Sequence, residues 1–232
     1  MIKAVFLDID NTLLDFDKCV QEAMREGFQK FELPPYKDYM FDAFTLINNE
    51  IWKQFERKEL TFTDILHTRW QKIFDALNIA FDGYTFELYF VDYIFHSHIH
   101  EPGALKLLQY LRAKGYIICA VSNGPEKQQC NRLREAGMLE YFDYLFISER
   151  LGAVKPTAAF FDKCLAELAA GREEPLQRNE ILMVGDSISS DIIGGYNSGL
   201  QTCYYNRFGT PYHGDIFIDY LINSLDALVY IL

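Results

Sequence analysis

One short run of apolar residues narrows the folds open to this chain more than anything else in its sequence. Residues 4–7 (Ala4, Val5, Phe6, Leu7) show no period-two alternation and stop abruptly at Asp8. Such a run predicts a strand covered on both faces, as in a parallel sheet, and this one delivers a carboxylate to its C-terminal end. The pattern then returns downstream. Ala104, Leu105, Leu107, Leu108 and Leu111 recur at helical spacing, Gly115 is a stop signal, and residues 116–121 predict a strand ending at Ser122-Asn123-Gly124. Helices over about 127–136, 158–170 and 190–198 alternate with strands at 144–147, at 181–184 (ending in Gly185-Asp186), near 202–205 and at 220–222. Strands alternating with helices predict an α/β fold, a doubly wound, Rossmann-like parallel sheet.

Residues from about 16 to 95 break this rhythm. They are rich in aromatics, read as several helices (47–55 and 63–77 among them) and offer no buried strand. The expected organisation is therefore an α/β catalytic core of residues 1–15 and 97–232 with an inserted α-helical cap domain, residues 16–96. A length of 232 residues allows one domain with an insertion of that size. Insertion directly after the strand ending in Asp8 would set the cap beside the strand ends, where open α/β sheets bind ligands.

Composition removes several classes of function. Half the residues are hydrophobic and 24% are charged, as in ordinary globular chains. A formal charge of −11 would repel a phosphate backbone over most of the surface, so duplex nucleic acid is not an expected partner. No apolar run approaches the roughly 20 residues that span a bilayer. Asp8 comes too early for a signal-peptide core, so no membrane partner and a cytoplasmic location are expected. Five scattered cysteines without a C-x-x-C pair read as reduced thiols.

The chemistry gathers where strands end. Asp8 with Asp10, Ser122 with Asn123, and Asp186 with Asp191 nearby would converge on one edge of the sheet, joined by Lys155. Carboxylates beside a lysine and a hydroxyl suit a hard cation such as Mg²⁺, completed by water and a phosphate oxygen. Attack of a carboxylate on a phosphate monoester meets like-charge repulsion of roughly 4 kcal/mol at about 4 Å and an effective dielectric near 20, so cations must be present. With Lys155 and Mg²⁺ offsetting that repulsion, Asp8 could act as nucleophile. Asp10 is then in position to protonate the leaving oxygen and later to deprotonate water.

Four segments resemble, in order, the motifs of the haloacid dehalogenase-like hydrolase superfamily: Asp8-Ile9-Asp10-Asn11-Thr12-Leu13, Ser122-Asn123-Gly124, Lys155-Pro156, and Gly185-Asp186-Ser187-Ile188-Ser189-Ser190-Asp191-Ile192. The helical segment between the first two resembles a C1-type cap. The resemblance implies Asp8 as nucleophile, Asp10 as acid/base, and Ser122 and Lys155 as phosphate ligands. It also implies Mg²⁺ on Asp8, the Asp10 backbone carbonyl and Asp186, with Asp191 binding through water or orienting other ligands. Asp10 resembles a phosphatase or phosphomutase feature, since dehalogenases usually lack an aspartate there. The run from Asp8 to Asp17, Ser148-Glu149 and Gly194-Gly195-Tyr196-Asn197-Ser198-Gly199 is similar to the pyrimidine 5′-nucleotidase group acting on noncanonical nucleotides.

The expected activity is a Mg²⁺-dependent phosphatase of small phosphomonoesters, nucleoside 5′-monophosphates foremost. The expected partner is thus a small phosphorylated metabolite. A phosphomutase and a non-catalytic phosphometabolite-binding module stand as alternatives. Asn123 joins the expected phosphate-binding residues, and Phe16 is the candidate to stack on a base. Phe41, Phe44, Trp52, Phe55, Trp70 and Phe74 read as cap core. His96, His98 and His100 alternate, a pattern that fits either a Zn²⁺ or Ni²⁺ site or, as the simpler reading, solvated residues where the chain returns from cap to core.

Overall fold

A computed structural model describes residues 1–170 and 172–232. Contacts divide the chain into two compact units, one of Met1–Asp15 with His98–Leu232, the other of Phe16–Ser97.

The first unit carries six parallel strands: β1 (Ala4–Asp8), β2 (Ile117–Ser122), β3 (Tyr144–Ile147), β4 (Ile181–Gly185), β5 (Gln201–Tyr205) and β6 (Tyr220–Ile222). Their order is β3-β2-β1-β4-β5-β6, so the winding reverses between β1 and β4. That reversal opens a crevice at the carboxyl ends of the central strands. Register keeps the ends level, with Asp8 opposite Val121 and Leu7 opposite Val184. Strand periodicity sends alternate residues to opposite faces. Val5, Leu7, Ile118, Ala120, Leu182 and Val184 belong to one buried cluster with Leu107, Leu108 and Leu111 from α5 (Ala104–Lys114). Ala4, Phe6, Cys119, Val121, Ile181 and Met183 join the other, with Phe160, Phe161, Cys164 and Leu168. These come from α8 (Ala158–Ala170). Both faces of the sheet are covered, which is why its strands read as continuous apolar runs rather than alternating ones.

The second unit consists of α1 (Phe16–Lys30), α2 (Asp38–Glu56), α3 (Phe62–Leu77) and α4 (Gly83–Phe95). Capping fixes α3: Thr61 and Asp64 form a reciprocal capping box, and Asn78 closes the helix in a left-handed conformation. Phe28, Phe44, Trp70, Phe74, Phe86 and Phe90 are buried, and the Trp70 and Phe86 rings lie 4.2 Å apart. Gly27 allows α1 and α4 to approach, because a Cβ there would sit 2.4 Å from the Tyr89 ring. Phe41, Trp52 and Phe55 depart from the core expectation and are only half-buried. The buried stripe of α2 runs Met40, Phe44, Asn48 and Ile51, leaving Phe41 and Trp52 on its flank, while Phe55 continues the stripe into the last turn of the helix.

No helix is long and apolar enough to cross a membrane among the described residues. All five cysteines are free thiols, four of them buried.

Candidate active site

Asp8 closes β1 with little exposure, and the deepest polar contact of the site is built on it. Lys155, on the segment between α7 (Ser148–Leu151) and α8, is buried. Its Nζ donates to Asp8 Oδ1 at 2.6 Å, to Asp191 Oδ1 at 2.7 Å and to the Val121 carbonyl at 3.1 Å. Three acceptors exhaust an ammonium's donors, so the lysine is fixed in direction as well as charge. Burial disfavours the charged form of Lys155, but the carboxylates of Asp191 and Asp8 outweigh it and hold the ammonium well above its ordinary range. For Asp8 burial dominates and pushes the carboxyl up to about 7. Lys155 pulls it down, while Asp191 and Asp10 push it further up.

Asp191 reaches this point through a backbone irregularity. The predicted helix over 190–198 begins instead as one π turn, Ile188–Ile192, before the short α9 (Ile193–Asn197). Ser187 opens the turn, its Oγ accepting from Ser190 N at 3.2 Å while its own N–H donates to Asp191 Oδ2 at 3.1 Å. A single wide turn of this kind commonly re-aims a functional side chain. Gly185 makes room for it: a Cβ there would lie 2.1 Å from Asp191 Oδ2. Carboxylate oxygens of Asp8, Asp186 and Asp191 lie within 4.8 Å of one another, the one such cluster of potential metal ligands among the described residues. The donors are all oxygen, and Lys155 can balance at most one of the three acids. Both facts fit a hard divalent cation and disfavour a thiolate- or imidazole-seeking one.

The remaining expected residues take distinct places. Ser122 ends β2, and its Oγ accepts from Gly124 N at 3.0 Å and from Gln129 Nε2 at 2.8 Å. With both lone pairs used, the serine O–H is left as a donor. Asn123, expected on phosphate, has its carboxamide on the Lys155 backbone: Oδ1 accepts from Lys155 N at 2.9 Å and Nδ2 donates to Lys155 O at 3.0 Å. It bears on the site by holding the lysine. Ser148 and Glu149 buttress the same loops, Ser148 Oγ donating to Asn123 O at 3.2 Å and Glu149 Oε2 accepting from Glu126 N at 2.8 Å.

Asp10 lies apart from the three-acid cluster. Its Oδ1 accepts from Arg132 Nη1 at 2.5 Å and its Oδ2 from Gln129 Nε2 at 2.7 Å. Both partners come from α6 (Glu126–Glu135), and the sequence reading missed them. Their one signal was i, i+3 spacing beside buried Leu133, which an ordinary solvated helix face could share. Phe16 is the first residue of α1 and half-buried. Among the described residues the histidines join no cluster of potential metal ligands: His100 Nε2 is 2.9 Å from Ala136 O, His98 Nδ1 is 3.8 Å from Glu135 Oε2, and His96 caps α4.

Comparisons with known proteins span most of the chain. A family profile described as haloacid dehalogenase-like hydrolase matches residues 2–199. The pyrimidine 5′-nucleotidase PynA of Streptococcus pneumoniae is 32% identical over 214 residues, 91% of this chain and 85% of PynA. The pyrimidine 5′-nucleotidase YjjG of Escherichia coli is 31% identical over 226 residues, 97% and 95% of the two chains. Among solved structures, the HAD-hydrolase YfnB of Bacillus subtilis, crystallised bound to magnesium, superposes with a TM-score of 0.88 at 28% identity. That match covers 99% of this chain and 98% of YfnB.

Proposed function

This chain belongs to the haloacid dehalogenase-like hydrolase family, and on that premise we propose that it is a magnesium-dependent phosphatase hydrolysing nucleoside 5′-monophosphates through an aspartyl-phosphate at Asp8. The observation that carries the reading is the Lys155 ammonium held between Asp8 and Asp191 at the C-terminal edge of the sheet. An anionic nucleophile needs that fixed positive charge if it is to meet an anionic phosphoryl group. Kinship with two pyrimidine 5′-nucleotidases supports the nucleotide as substrate.

In the first half-reaction Asp8 forms an O–P bond as the bond from phosphorus to the ribose oxygen breaks, and the Asp10 carboxyl gives that oxygen its proton. In the second, the Asp10 carboxylate takes a proton from water, whose oxygen attacks phosphorus while the bond to Asp8 breaks. The products are nucleoside and inorganic phosphate, with both acids restored. Ser122 O–H is the donor for a phosphoryl oxygen, and the Lys155 ammonium supplies positive charge beside the phosphoryl group. Asp8 and Asp186, with the Asp10 backbone carbonyl, would hold magnesium, and Asp191 would steady the set. The ion would supply positive charge that favours the ionised nucleophile and neutralises the phosphoryl oxygens.

The test is phosphate release from a panel of phosphorylated metabolites with magnesium and with chelator. Expected are release from pyrimidine nucleoside 5′-monophosphates that requires magnesium, and an inactive Asp8→Asn protein. An Asp8→Asn enzyme as fast as the parent would remove the nucleophile. An isomerised sugar phosphate with little free phosphate would instead identify a phosphomutase.

A further inference from the structure

We infer that Gln129 and Arg132 are positioning residues for Asp10, aiming its carboxyl group so that turnover of substrates with basic leaving groups depends on them. The inference rests on the phosphatase reading and adds to it a part of the chain that lies outside the four motifs.

Three geometric facts carry it. First, both oxygens of the Asp10 carboxyl are held by side chains from one helix, while a third of that side chain remains exposed. The group is thus anchored on its inner side and open on the other. Second, the anchor is rigid. Arg132 is almost wholly buried and donates through Nη1 to Gln129 Oε1 at 2.9 Å as well as to Asp10. The buried Gln129 amide shares its Nε2 hydrogens between Asp10 Oδ2 and Ser122 Oγ. Only one orientation of that amide satisfies all its neighbours, since a flip would set nitrogen against the Arg132 donor and oxygen against the Asp10 carboxylate. Third, Gly124 leaves space for the arrangement, because a Cβ there would lie 2.7 Å from Gln129 Nε2.

The result is one hydrogen-bonded chain from Arg132 through Gln129 that fixes Asp10 and touches Ser122, the residue expected to hold the phosphoryl group. Misplacing a reacting group by about 1 Å can cost roughly 100-fold in rate. Loss of Arg132 would free the Asp10 carboxyl to rotate without touching Asp8 or Lys155. Its effect should therefore scale with how much the leaving oxygen needs a proton. A ribose alkoxide is strongly basic and needs one, whereas para-nitrophenolate is stable at neutral pH and leaves without it.

The experiment compares uridine 5′-monophosphate and para-nitrophenyl phosphate on the same preparations of parent, Arg132→Met, Arg132→Lys, Gln129→Met and Asp8→Asn in excess magnesium. For Arg132→Met, kcat/KM on the nucleotide should fall about 10- to 100-fold while kcat/KM on the nitrophenyl ester loses much less, because kcat/KM ends with departure of the leaving group and leaves out the water attack that both substrates share. Arg132→Lys should restore part of the loss, and Gln129→Met should shift the ratio in the same direction. Taking the ratio of the two substrates cancels the folded fraction, so partial misfolding cannot imitate the result. An equal loss of kcat/KM on both substrates, or no loss on either, overturns the positioning role while leaving the phosphatase intact. A parent that releases phosphate from neither, like its Asp8→Asn control, instead overturns the phosphatase reading and this inference with it.

Discussion

Each unit of this protein buries charge, and the two do so in opposite ways. In the helical unit Arg69 forks onto Glu87, Nε to Oε2 at 3.1 Å and Nη2 to Oε1 at 2.5 Å, with Nη1 on Asn48 Oδ1 at 3.3 Å. The guanidinium lies 4.8 Å from the Phe90 ring centre. One positive charge meets one negative charge, both carboxylate oxygens are engaged, and the pair is sealed among aromatic rings. In the α/β unit one ammonium faces three carboxylates at the ends of the strands. The first arrangement is closed and asks for no further ion. The second holds more acid than its lysine can balance, and burial, reinforced by the neighbouring Asp191 and Asp10, pushes Asp8 up to about 7. A charge-balanced pair serves architecture, whereas an acid excess at a sheet edge favours a hard cation among the carboxylates.

The contrast breaks most severely at Lys155. Lys155→Met should lower kcat/KM on nucleoside monophosphates by about 100- to 1,000-fold, the scale for losing one preorganised electrostatic contact. Removal of divalent ions with chelator should silence the parent and be reversed by added magnesium, read as phosphate release. In the helical unit the corresponding change should cost stability. Glu87→Leu strands a buried guanidinium and should lose about 3–5 kcal/mol in denaturant unfolding, while the double change Arg69→Met with Glu87→Leu recovers most of it. If the single and double variants are equally unstable, the pair owes its value to packing rather than charge.

Gly185→Ala sharpens the comparison further, because its methyl group must displace Asp191 from the position where it meets Lys155. Apparent magnesium affinity, read from activity against ion concentration, should weaken about 10-fold, within the range for disturbing groups that orient metal ligands. The smallest effect concerns Glu101, buried under Tyr205 and Arg207, with contacts at 2.7 and 3.1 Å. Burial raises its folded-state pKa, against the lowering effect of those two partners. The folded chain therefore binds this proton more tightly than the unfolded chain does. Stability should fall as pH climbs past the ordinary glutamate range and through the raised value, and Glu101→Gln should flatten that slope in thermal unfolding.

Much of the site was legible because strands end where their apolar runs end. Asp8, Ser122 and Asp186 each stand directly at or after such an end, and the parallel register sets those ends side by side. Helical spacing likewise gave the interior of the second unit at Phe44, Trp70 and Phe74, all buried. It failed at Phe41 and Trp52, because an aromatic one position from a buried stripe reads much like one inside it, and at Phe55, which keeps the spacing but sits in the last turn of the helix. The place of the Asn123 side chain was not legible for a related reason: its amide is held by the Lys155 backbone, a partner 32 residues away. Gln129 and Arg132 were illegible, since a glutamine and an arginine on a polar helix look the same in sequence whether water or Asp10 receives them.

Periodicity is a local property, set by side-chain geometry over a few residues, so the order of strands and helices, the strand-end acids and the helical insertion could be read directly from the chain. Charge pairing is not local. Lys155 lies 147 residues from Asp8, and Arg132 lies 122 from Asp10. Which opposite charges meet, and how strongly, depends on water being excluded between them. Packing of the whole α/β unit had to set that exclusion before a lysine, three aspartates and a buried arginine acquired their separate roles.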